Sequence, residues 1–282
     1  MRVYLNASWF SRGINRVIFE LYRYMPDDFV IADDPDSADL VVLHINGRHD
    51  QNVQRAKKIK SLGHKYAVIQ YVLASCRNPD PLEWADLWDD AKVVWSYYDL
   101  HKWIPLLYHA PLAALPDKFY REDVEKKYLI GTMGVDPKSE CFNEARLACF
   151  KAGGKMVHVG KKFTEDPIID FVSEIDDDEL RTIYNQCQWF SVLRRADGFE
   201  MIGLEALLCG VRPIMFDTIN YRRWYNNFAK FIPEKTVGDT VRDLTEILKG
   251  EPSEVTDDEI AEVKVRFDWK TIIEGFWNRC RY

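Results

Sequence analysis

Asp197 and Glu205 stand eight positions apart in DGFEMIGLEALLCG (197–210), the first beside a Gly198-Phe199 turn and the second in a helix-like run beginning near Glu200 or Met201. Two carboxylates at such a junction admit two readings. A turn acid ahead of a helix is commonly an N-cap, taking an orphan backbone N–H, and a helical Glu is commonly solvated. The other reading is a ligand site. Immediately upstream, WFSVL ends at Arg194 and Arg195, and in GTMGVDPK a second strand is followed by Lys138. Strand ends that meet helix starts expose unpaired N–H groups, and with cations beside them they attract anions. No Ser–His–Asp or Cys–His arrangement with nucleophile spacing stands out.

The elements that must position these residues alternate. RVYLN, DLVVLHI (39–45), YAVIQYV (66–72) and KVVWSY (92–97) read as buried strands, separated by helices in SRGINRVIFELYRYM, QNVQRAKKIKSLG and PLEWADLWDDA. Residues 104–121, with three prolines and no sustained period, read as a connection. Alternation then resumes with strands KYLIGTMG, KMVHVG, WFSVL and RPIMFD around helices SECFNEARLACFKAGG, DDDELRTIYNQC and MIGLEALLCG. This order predicts an α/β protein of two Rossmann-like domains. Residues 1–119 form the first and 120–267 the second, with a closing helix over 268–282 that packs back on the first. The acidic stretches EIDDDEL and EPSEVTDDEI read as solvated helix starts.

With 282 residues, 47% of them hydrophobic, and a net charge of −7, the chain can bury large cores and has no global pull toward polyanions. The opening MRVYLNASWF has no apolar signal-like run and no later segment reaches spanning length, so a cytoplasmic location without a transmembrane segment is expected. The six cysteines form no C-x-x-C pair and read as free thiols.

The stretch DELRTIYNQCQWFSVLRRADGFEMIGLEALLCGVRPIMFD resembles the signature region of retaining GT-B glycosyltransferases of the glycogen-synthase-like superfamily. FDWKTIIE (267–274) is similar to that family's closing helix, SRGINRV (11–17) to its glycine loop and PLAALPDKF (111–119) to its interdomain connection. The resemblance implies two domains facing a cleft, with a nucleotide-diphosphate sugar, expected to be a UDP-sugar, as donor and no separate cofactor. It places Asp197 at the donor sugar, with Glu200 as a second carboxylate there, and Glu205 on the ribose hydroxyls. Gly198, Phe199 and Met201 line the same turn, Lys138 with Arg194 or Arg195 holds the diphosphate, and Gly13 approaches the diphosphate or acceptor. His44, closing its strand, is the candidate facing the reacting sugar, whereas Gln70 stands where a family histidine is expected.

The same resemblance implies transfer on the front face, the leaving diphosphate taking the acceptor's proton, with no metal required. The Asp34-Pro35-Asp36 spacing that a metal-dependent glycosyltransferase would use reads here as an ordinary turn. The expected acceptor is a hydroxyl of a glycan or small molecule. One alternative is a viral-type DNA glycosyltransferase acting on hydroxymethylated pyrimidines, for which Tyr221, Arg222, Arg223, Trp224 and Tyr225 would offer a basic-aromatic surface. Others are an inactive nucleotide-sugar-binding protein, since fold does not guarantee chemistry, and a nucleotide-sugar epimerase.

Overall fold

The structure is a computed structural model, and it describes residues 1–6, 12–45, 49–72, 84–195 and 198–281. The chain divides into two compact units, Met1–Leu112 with Asp268–Tyr282, and Ala113–Phe267.

The first unit begins with β1 (Arg2–Asn6), α1 (Arg12–Arg23), β2 (Val30–Ile31), β3 (Leu40–Ile45), α2 (His49–Ser61) and β4 (Tyr66–Gln70). It continues with α3 (Ala85–Trp88), β5 (Val94–Ser96) and β6 (Leu107–His109). Its six strands pair in parallel in the order β2-β1-β3-β4-β5-β6. Every residue of β3 and β4 is buried, as strands covered by helices on both faces must be, which is why they read as near-continuous apolar runs. β6 lies inside the 104–121 segment expected to be a bare connection. Three half-buried residues carry no period, and pairing with β5 makes the strand.

The second unit runs β7 (Tyr128–Gly134), α4 (Phe142–Ala152), β8 (Met156–Gly160), β9 (Ile169–Val172), α5 (Asp177–Asn185) and β10 (Cys187–Ser191). There follow α6 (Met201–Leu208), β11 (Arg212–Phe216), α7 (Ile219–Tyr225), β12 (Lys230–Ile232), α8 (Val237–Lys249) and α9 (Asp257–Arg266). Its parallel sheet has the order β12-β11-β10-β7-β8-β9. The acidic stretches are helix starts as expected. Asp176 with Glu179 and Thr256 with Glu259 each form a reciprocal capping box that satisfies two orphan donors at the heads of α5 and α9.

The last helix, α10 (Trp269–Arg281), belongs to the first unit. Ile273, Phe276 and Trp277 are fully buried, the Trp277 indole donates to the Leu21 carbonyl at 3.2 Å, and the Tyr108 hydroxyl donates to the Ile272 carbonyl at 2.8 Å.

Candidate functional site

In a doubly wound sheet, ligands bind beyond the strand C-termini at the point where the strand order reverses, because the helices leaving the two adjacent strands pass to opposite faces and open a crevice. The second unit reverses between β7 and β10. Its crevice is therefore bordered by the segment after β7, residues 135–141, and by the described residues after β10, 192–195 and 198–200. The Arg195 N–H donates to the Ser139 carbonyl at 2.8 Å and ties the two together.

Arg194 occupies this point. Its guanidinium donates to the Met133 carbonyl at 3.1 Å, pairs with Glu140 at 2.6 Å and lies 3.5 Å from Glu200, with 16% of the side chain exposed. Burial works against the charge of Arg194, but Glu200 and Glu140 hold its pKa above the ordinary value. Burial pushes the Glu200 carboxyl above its usual range, with Arg194 opposing. Glu140 turns back onto its own loop: Oε1 accepts the Val135 N–H and Oε2 the Asp136 N–H, each at 3.0 Å. The geometry depends on two glycines. Gly134 has φ +150, and a Cβ there would lie 1.9 Å from the Glu140 carboxylate; a Cβ on Gly160, at φ +131, would meet the Gly134 carbonyl oxygen at 2.1 Å. Beneath them His158, in β8, accepts from or donates to the Thr132 hydroxyl at 2.7 Å and lies 3.2 Å from the Gly134 carbonyl, and burial lowers its pKa to about 4.

Of the residues expected from the sequence, Arg194 and Glu200 meet here, and Lys138 is exposed on the same β7–α4 segment. Arg195 points elsewhere, pairing with Glu144 at 2.7 Å and Glu234 at 3.1 Å. Asp197 lies outside the described residues. Glu205 is 3% exposed inside α6, its Oε2 accepting the Tyr184 hydroxyl at 2.9 Å. Met201 opens α6 half-buried, and Gly198 precedes it, also half-buried. The Phe199 ring is packed with Trp224, Tyr225 and Phe267 at 5.4 to 6.2 Å, an aromatic core contact. Glu140, His158 and the Gly134–Gly160 pair escaped sequence reasoning. Glycines closing two successive strands were the available signal.

In the first unit the strand order reverses between β1 and β3. Gly13 and His44 stand at these ends, but Gly13 is in the first turn of α1, not in a loop. His44 is 2% exposed, shares a 2.9 Å hydrogen bond between Nδ1 and the Tyr71 hydroxyl, and burial drives its pKa down to about 3, so its imidazole is neutral near pH 7. Gln70 is equally buried, accepting from the Trp88 indole at 3.0 Å. Asp34 accepts the Ser37 N–H at 2.8 Å and caps the short turn Pro35–Ser37, so the Asp-Pro-Asp spacing serves a turn. Among the described residues, Asp99 and His101 in the segment after β5 and His109 at the end of β6 could offer metal-ligand atoms within 4.8 Å of one another. On α7, Tyr221 and Tyr225 are fully buried and Arg222 pairs with Asp217 at 2.6 Å. Two of the five side chains that would have faced DNA are therefore core.

Two six-stranded parallel sheets flanked by helices are the fold of GT-B glycosyltransferases, and solved members of that class align along nearly the whole chain. HepE of Anabaena, solved in complex with UDP and glucose, superposes with a TM-score of 0.74 at 10% identity, over 99% of each chain. The sucrose-phosphate synthase of Thermosynechococcus elongatus matches with a TM-score of 0.68 at 12% identity, over 97% of this chain and 80% of that one. The lipopolysaccharide outer core galactosyltransferase WaaB matches with a TM-score of 0.65 at 11% identity, over 100% of this chain and 99% of its own. No protein-family model matches the sequence, and no curated protein does.

Proposed function

We propose that the chain is a glycosyltransferase that moves a sugar from a nucleotide-diphosphate sugar, a UDP-sugar, to a hydroxyl of a glycan or small molecule with retention of configuration. The observation that carries this is Arg194, a half-buried cation at the β7–β10 reversal of a sheet whose fold is shared with glycosyltransferases, HepE with UDP and glucose among them. Arg194 and the exposed Lys138 ammonium offset the charge growing on the departing diphosphate. That diphosphate takes the acceptor proton, so catalysis is positioning plus electrostatics. Asp197 and Glu200 are assigned to the sugar, Glu205 to the ribose. That last role requires the Glu205 carboxylate to share its Tyr184 bond with the vicinal hydroxyls.

The test incubates the protein with a panel of labelled nucleotide sugars and, as acceptors, simple saccharides, hydroxymethyl-pyrimidine DNA or none, with mass spectrometry as readout. Transfer from a UDP-sugar to a saccharide is expected, with slow loss of sugar to water when no acceptor is present. Binding of UDP without transfer or hydrolysis in any arm overturns catalysis in favour of a nucleotide-sugar-binding protein. Transfer to DNA alone overturns the acceptor.

A further inference from the structure

The contacts of Glu140 are those of a bound oxyanion. One carboxylate oxygen takes the Val135 N–H and the Arg194 guanidinium, the other takes the Asp136 N–H. Successive backbone N–H groups converging on one anion, backed by a guanidinium, form the arrangement that proteins use for phosphate. The seat is also shaped for an approaching group without a neighbouring side chain, since any Cβ on Gly134 would fall within 2.0 Å of the carboxylate atoms. Gly160 supports it from below by letting β8 pack directly on the Gly134 carbonyl. The Glu140 N–H also donates to the Asp136 carbonyl at 3.1 Å, so the backbone of the seat has a hold besides the carboxylate that occupies it.

We propose that the Val135 and Asp136 amides with Arg194 form a binding site for a phosphate-type oxyanion, and that Glu140 occupies this site as an internal competitor until the anion displaces it. This rests on the reading above in one respect, that the natural oxyanion is a phosphate of the donor's diphosphate. The consequence is regulatory as well as structural. An empty enzyme keeps Arg194 neutralised between Glu140 and Glu200, and a donor must exchange its own anion for Glu140, so weak anions are kept off the site. On displacement Glu140 becomes a free carboxylate at the crevice rim.

Calorimetric titration of inorganic pyrophosphate and, separately, UDP into the wild-type chain, Glu140→Ala and Glu140→Asp tests this. Aspartate keeps the charge but is one methylene short of spanning both amides and the guanidinium, so it separates occupation of the seat from net charge. Both variants should bind pyrophosphate more tightly than wild type, Glu140→Ala by about tenfold or more, which corresponds to a seat open in about a tenth of wild-type molecules. Unchanged or weaker pyrophosphate binding in Glu140→Ala, with circular dichroism showing a native fold, overturns the proposal. Tightening in Glu140→Ala with wild-type affinity in Glu140→Asp overturns it too, because charge alone would then explain the gain. A misfolded Glu140→Ala leaves the decision to Glu140→Asp, where wild-type affinity overturns the proposal. Equal UDP affinity in all three chains overturns it and leaves the nucleotide-sugar reading standing. Tighter pyrophosphate in both variants with no UDP binding in any chain supports the seat and removes that reading.

Discussion

His158 must stay neutral to keep its place. Its ring is 1% exposed, packs edge-on against Phe142 at 4.9 Å and holds Thr132 at one nitrogen, and burial keeps its pKa near 4 against 6.5 in the unfolded chain. Between those values the unfolded chain binds the proton and the folded chain does not. Stability contributed by this group is therefore present above about pH 6.5 and is lost as pH falls toward 4, at up to about 1.4 kcal/mol per pH unit. Urea midpoints at pH 7, 6 and 5 should fall more steeply for wild type than for His158→Gln; identical slopes would free His158 of any protonation penalty. His44, with its pKa near 3, adds a like slope to both proteins. Neither role was legible in the sequence, where a histidine within a strand reads the same whether buried or facing a ligand. Glu140 was hidden for a related reason: an acid just before a helix is ordinarily solvated, and its target amides lie on a loop whose shape comes from Gly134. The position of Arg194 and Glu200 between a strand and a helix was legible because the apolar pattern locates that junction.

At the scale of elements, legibility followed length and burial. β3, β4 and β8 announce themselves as apolar runs covered on both faces, and α5 and α9 by their capping boxes. β2, β6 and β12, two or three residues each, carry no period and exist because a neighbouring strand pairs with them. The closing turns of β7 and β8 are set by contact instead. Gly160→Ala would push a Cβ against the Gly134 carbonyl and force an L side chain to φ +131, which should destabilise the second unit by on the order of 3 kcal/mol. Because the displaced Gly134 carbonyl shares its peptide plane with the Val135 N–H of the anion seat, pyrophosphate affinity should fall as well. Gly238→Ala is the control: nothing lies within 4 Å of its Cβ position in α8, and the change should raise stability by about 0.5–1 kcal/mol. Urea denaturation with calorimetry reads both. A Gly160→Ala protein as stable as wild type would show that the strand ends part without penalty.

Across the whole molecule, the chain builds one sheet, builds a second and then returns α10 to the first, where Trp277 and Phe276 complete its core. The order of strands and helices made two sheets legible, and the likeness of FDWKTIIE to a closing helix pointed α10 back to the first; the Trp277 bond to Leu21 and the Tyr108 bond to Ile272 are the contacts that hold it there. Two cores in one chain make ligand linkage local. A ligand that binds the native second unit adds RT ln(1 + [L]/Kd) to the free energy of opening that unit alone, about 2.7 kcal/mol at a hundredfold excess over Kd, or roughly a hundredfold slower amide exchange. Hydrogen exchange with and without UDP should therefore show slower exchange of the slowest amides in β7, β8 and β10, with those of β3 and β4 nearly unchanged. Trp277→Ala should do the reverse, loosening β3 and β4 by about 3–5 kcal/mol through the cavity it leaves and sparing β7 and β8. Protection by UDP of β3 and β4 alone would move the nucleotide to the first unit and take the donor role from Arg194. Equal protection of both sheets would mean that the two cores open as one cooperative unit.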